Sequence, residues 1–115
     1  MNRKTFQLAV QRALDELPDE YKNLLDNIQI EVMDEPPSEI RRKLDYKGKL
    51  LGLYHGIPRI HRGVWYSSLP DKILLFRGAI QRICRNRDEV VDQIKATLIH
   101  EIGHYFGLEE DEMPY

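Results

Sequence analysis

The stretch Thr97–Asp111, TLIHEIGHYFGLEED, decides how this chain is read. His100 and His104 stand four residues apart, and on an α-helix that spacing puts both imidazoles on one face, with Cβ atoms roughly 5–6 Å apart. Two neutral imidazole nitrogens held in this way can share one divalent ion. Glu101 follows the first histidine, where its carboxylate can lie beside the metal and take a proton without being a ligand. Gly107 lets the backbone leave the helix through a left-handed conformation that other residues disfavour. The chain can then turn back toward the metal, and the carboxylates that come next are Glu109, Glu110 and Asp111. Two histidines, a base, a turn and a third ligand fall within twelve residues.

A plain amphipathic helix with two surface histidines is the competing explanation. At ordinary residue frequencies, His-Glu-x-x-His arises by chance in well under about 1% of chains this long, and the added glycine and carboxylate make it rarer still. The helical periodicity agrees with a metal site. Val91, Ile94, Leu98, Ile99, Ile102, Tyr105 and Phe106 share one broad apolar arc. His100 and His104 fall opposite, together with Gln93 and Thr97, and are expected to face a cleft. Lys95 falls inside the apolar arc and is expected to snorkel outward at its edge.

The remaining composition is that of a single soluble globular domain spanning 1–115. Hydrophobic residues make up 42% and charged residues 31%, and the net charge of −2 provides no attraction toward nucleic acid or an anionic membrane. No apolar run approaches the roughly 20 residues that span a bilayer. Cys84 is the only cysteine, so no internal disulfide forms and a reducing cytoplasm is the expected compartment. Cys84 itself reads as a small buried apolar residue.

Phe6, Ala9, Val10, Ala13, Leu14 and Leu17 recur at helical spacing, with Thr5 as the expected N-cap. Pro18 ends that helix and opens a short second one through Tyr21, Leu24 and Leu25. IQIEVM alternates Ile28, Ile30 and Val32 against Gln29, Glu31 and Met33, the pattern of a half-buried strand that Pro36 and Pro37 stop. Ser38–Gly48 reads as a helical turn or a loop. Short strands are expected around Leu50–Tyr54 and Ile60–Tyr66. KILLF, a continuous apolar run, suits a strand buried on both faces, and Ala79–Cys84 reads as a helical turn. Asn86 or Asp88 caps the long helix, which runs to about Phe106 and is on the order of 28 Å long.

With these pieces in place, the chain resembles a small bacterial family of zincin-like, zinc-dependent proteases with a matrix-metalloprotease-like domain. The resemblance rests on EPP at Glu35–Pro37, LLGLYHGIP at Leu50–Pro58, PDKILLFRGAI at Pro70–Ile80 and HEIGHYFGLEED at His100–Asp111. It implies an α+β fold, a minimal zincin: a small twisted mixed sheet packed on a back helix and a long active-site helix. The large second subdomain of ordinary zincin proteases is missing from that plan. The family pattern, His-Glu-x-x-His-x-x-Gly-x-x-Asp, carries over to His100, Glu101, His104 and Gly107. At its last position this chain has Glu110, with Asp111 one residue later.

The function these observations imply is zinc-dependent peptide hydrolysis. One Zn²⁺ per chain is expected on His100, His104 and Glu110, with Glu101 as the general base that activates water. The substrate is expected to be a peptide or protein, laid as an extended strand along a sheet edge supplied by Ile60–Tyr66. A metal-binding domain without peptidase activity, serving as an interaction or regulatory module, is the alternative. The missing subdomain favours that alternative, and Glu101 speaks against it, since a purely structural site needs no base. A small metal-dependent ribonuclease fits less well, because such proteins use a third histidine and lack the glutamate after the first. His55 and His61 read as surface histidines, and Tyr54 and Tyr105 as packing residues.

Overall fold

Among the described residues, the apolar run in KILLF becomes the central strand of a three-stranded mixed sheet. In the computed structural model, which describes residues 1–44, 50–56 and 71–107 (the side chains of 43 and 44 excepted), the elements run in a simple order. They are α1 (Arg3–Glu16), α2 (Asp19–Leu25), β1 (Ile28–Met33), α3 (Ser38–Leu44), β2 (Gly52–His55), β3 (Asp71–Phe76), α4 (Arg77–Arg82) and α5 (Arg87–Tyr105). The sheet order is β1-β3-β2, with β1 parallel and β2 antiparallel to β3. A strand flanked on both sides and covered on both faces must be apolar at successive positions, and Ile73, Leu74, Leu75 and Phe76 are all buried.

The two faces carry different loads. Ile73 and Leu75, with Ile28, Val32 and Tyr54, pack against Val91, Ile94, Leu98 and Ile102 of α5 and against Phe6, Ala9, Val10 and Ala13 of α1. Leu74, Phe76 and Ala79 form a smaller cluster with Met33, Ile40 and Leu53 on the opposite face. Each fully buried Leu, Ile or Phe contributes about 1.5–3 kcal/mol relative to exposure. The larger cluster therefore fixes α5 between the sheet and the back helix α1. Among the described residues no helix is long and apolar enough to cross a membrane.

Two helix starts differ from the sequence expectation. The N-cap of α1 is Asn2, whose side chain accepts from the Thr5 N–H at 2.8 Å, so the helix begins ahead of Thr5. Asn is the stronger cap, and it uses Thr5 as its partner three residues on. The helix after β3 begins at Arg77, directly at the strand's end, rather than at Ala79. Ser38–Leu44 is a short helix. Pro18 acts as expected, standing between α1 and α2.

The turn after β1 is fastened to α4 by charge and close approach. Asp34 accepts from Arg77 Nε at 2.9 Å and lies 3.5 Å from Arg3, and these cations hold its carboxyl below the usual range. Glu35 is bonded to Arg82, with Nη2 at 3.1 Å from Oε2. The Gly78 N–H donates to the Asp34 carbonyl at 2.8 Å. A Cβ on Gly78 would lie 2.9 Å from that carbonyl and closer still to Glu35 Oε1. Exposed ion pairs alone are worth little, so the close approach is the part that matters. Gly78→Ala is expected to destabilise by about 1–3 kcal/mol through overpacking against backbone. Urea unfolding should show a lower midpoint at unchanged slope; a midpoint equal to wild type would mean that the turn yields freely.

Candidate metal centre

α5 is held at both ends by the residues expected to hold it. The Asn86 side chain accepts from the Glu89 N–H at 2.9 Å, and Glu89 reaches back to the Arg85 N–H at 3.0 Å. Asp88 and Glu89 place negative charge on the first turn, where the helix dipole favours it. At the other end Gly107 has φ +81°, and its N–H donates to the His104 carbonyl at 2.8 Å. The chain thus leaves the helix one turn past the second histidine, as the glycine requires.

His100 and His104 are half-buried on adjacent turns, with ring centroids 5.0 Å apart and planes at 73°. Donor atoms of His100, Glu101 and His104 all lie within 4.8 Å of one another. Two imidazole nitrogens and a carboxylate are the donor types that zinc takes, so the residues present fit the ion. His100 and His104 would hold it, and zinc at such a site supplies Lewis acidity.

Glu101 is 6% exposed. Its Oε1 accepts from the main-chain N–H of Tyr54 at 2.7 Å, and its Oε2 lies 4.0 Å from His100 Nε2. One oxygen is thus engaged by the sheet and the other lies beside His100. Tyr54 is buried as well: its hydroxyl donates to Asp71 Oδ1 at 2.9 Å, and its ring meets Tyr105 edge-on at 5.7 Å between centroids.

Thr97 departs from expectation. Helical periodicity puts it with the histidines, facing a cleft, but it is 5% exposed and packs under β2. The reason is Gly52, where a Cβ would lie only 2.6 Å from Thr97 Cγ2. Without a side chain there, β2 comes down onto the helix and covers the Thr97–Glu101 side. Lys95 behaves as expected: Nζ reaches Glu16 at 2.9 Å and Asp92 at 3.5 Å, contacts that raise its pKa. Cys84 is only partly buried, and desolvation, with a smaller contribution from Glu89, pushes its thiol pKa up. His55 is exposed on β2. Glu109, Glu110, Asp111, His61 and Ile60–Tyr66 lie outside the described residues.

Sequence reasoning missed the Tyr54 N–H and Asp71. The N–H carries no residue-specific signal. Asp71 did leave one: it is an acid at the head of a strand that is otherwise apolar and central, a place where an acid needs a partner.

An α+β domain with a His-Glu-x-x-His helix beneath a short antiparallel strand defines a metallopeptidase-like centre. The chain belongs to the zincin-like metallopeptidase family, whose model matches residues 25–115. Among solved structures it is similar to a conserved hypothetical protein from Thermo thermophilus. The two share 21% sequence identity with a TM-score of 0.59, over 92% of this chain and 94% of that one, a likeness of fold. No curated protein matches the chain.

Purified protein is expected to bind about one zinc per chain and to release it on acidification, because a protonated imidazole cannot ligate. Elemental analysis and a zinc titration measure this. Folded protein without micromolar zinc affinity at neutral pH would remove the metal centre from consideration.

Proposed function

We propose that the chain is a zinc-dependent peptidase of the reducing cytoplasm, acting on a peptide or protein substrate. In this reading His100, His104 and Glu110 hold one Zn²⁺ and Glu101 is the general base. The observation that carries it is the placement of Glu101, withdrawn from water at 6% exposure with Oε1 on the Tyr54 N–H and Oε2 beside His100. A centre that only braced a fold would have no use for a buried carboxylate anchored beside its ligands. Proton transfer does need one, held in a fixed direction.

When bound, zinc supplies Lewis acidity toward water and toward a carbonyl oxygen. Glu101 accepts a proton from the attacking water through the oxygen that faces the histidines, and returns it to the leaving amine. The imidazoles stay neutral throughout and serve to bind. Neither nucleic acid nor a membrane enters this reading, and the net charge of −2 offers no basic field for either.

A metal-binding module without peptidase activity would share the histidines but not the need for a base. A peptide-library digest with zinc-loaded protein separates the two. Glu101→Gln should retain zinc and fold while losing hydrolysis by about 10²–10⁴-fold, the usual contribution of a positioned base. Activity that survives this change unaltered would belong to other chemistry, and zinc-loaded wild type that cleaves no peptide would favour the module.

Glu110 as third ligand rests on the family pattern, which has aspartate at that position, six residues beyond His104 and three beyond Gly107. Glutamate is a competent replacement for that aspartate, since two histidines with one glutamate are an established catalytic zinc set. Asp111 is the rival, the shorter carboxylate one residue further on. Zinc titrations should show a large loss of affinity for Glu110→Ala and little change for Asp111→Ala. The reverse result would move the ligand to Asp111; no loss from either would leave the third position to water.

A further inference from the structure

Nothing in the local chemistry of a helical glutamate decides which of its two oxygens points where. The terminal torsion of a carboxylate is broad and two-fold, so only a partner can fix it. For Glu101 that partner is main chain. In the β2–β3 ladder, Phe76 N–H donates to the Leu51 carbonyl at 2.9 Å, and Leu53 and His55 continue in the same register opposite Leu74 and Lys72. In an antiparallel pair the intervening residues turn their N–H and C=O away from the partner strand. Tyr54 is one of these, and its outward N–H is what Glu101 Oε1 accepts from.

The strand that carries this N–H is only four residues long and lies at the edge of the described sheet, so the ladder alone is a soft mount. The Tyr54 side chain adds two further ties. Its hydroxyl is bonded to Asp71, its diagonal neighbour on β3, and its ring lies edge-on to Tyr105, one turn beyond Glu101 on α5. Asp71 is 5% exposed, and burying an acid is costly unless it is hydrogen-bonded. No step of the proposed chemistry uses it. Gly56 leaves this pair its room, since a Cβ there would lie 2.7 Å from Asp71 Oδ1 and 2.8 Å from the Tyr54 hydroxyl.

We infer that Tyr54, braced by Asp71, is a positioning residue: it holds one oxygen of Glu101 on its main-chain N–H and so fixes the other beside His100. Its catalytic consequence rests on the role proposed above for Glu101, whereas the contact itself does not depend on that role.

The test uses the full chain, ¹⁵N-labelled, with and without zinc. A charged acceptor makes the stronger bond, so Glu101→Gln should move the residue-54 amide proton upfield. Tyr54→Phe, which keeps the main chain and removes the tie to Asp71, should move the same amide and speed its hydrogen exchange. In the same variant kcat should fall by about 10–100-fold, as misplaced groups do, with KM and zinc affinity within about twofold of wild type. Gly56→Ala crowds the pair and, at φ +158°, also strains the main chain just after β2, while removing no polar group; it should shift the residue-54 amide upfield as well. An amide indifferent to Glu101→Gln would overturn the inference, and so would Tyr54→Phe with amide and kcat as in wild type. Wild type that cleaves no peptide would end the peptidase reading instead, and the amide responses would still decide whether Tyr54 holds Glu101.

Discussion

A carboxylate withdrawn from water has to be met by donors, and the meeting of Glu101 with the Tyr54 N–H is the contact that ties the fold of the sheet to the histidine helix. It requires an antiparallel strand with an outward donor at the right height above α5. That in turn requires β3 in the middle of the sheet and a residue without a side chain at 52. On the far side, α1 supplies the apolar backing that keeps α5 from retreating when β2 presses on it. The histidines need only the period of the helix. The glutamate needs the whole fold.

This difference explains what was legible in the sequence. Helix caps, helical period and strand alternation are local, and Asn86, Gly107, the Ile28–Val32 alternation and the KILLF run were readable from a few neighbouring residues each. So were the paired histidines and the outward reach of Lys95. The burial of Thr97 was not, because it depends on a strand more than forty residues away in the chain whose glycine permits close approach. The partner of Glu101 was hidden for the same reason, with the added difficulty that a main-chain N–H looks alike under every side chain. Two competent caps, Asn2 and Thr5, stand three residues apart, and the stronger one, Asn2, starts the helix and takes the Thr5 N–H as its donor.

The stretches that carry the family resemblance divide into two kinds. HEIGHYFG carries the candidate metal-binding residues, and LLGLYHG brings β2 onto their helix through Gly52 and Tyr54. EPP and FRGAI lie elsewhere and act elsewhere, in the junction of Asp34 and Glu35 with Arg77, Gly78 and Arg82. That junction ties the end of β1 to the start of α4, directly beyond the central strand. Its chemistry is mechanical: it pins the end of β1 to the helix that follows β3.

The outward N–H of Tyr54 has a further consequence, for solubility. An edge strand with unclaimed main-chain donors is a template on which another chain can add a strand, and small sheets are exposed to this hazard because so much of them is edge. Among the described residues β2 lies at the edge of the sheet, and at Tyr54 its outward donor is already claimed by a carboxylate from the same molecule. The glutamate beside the histidines thus leaves one main-chain donor fewer on this strand for another chain to pair with.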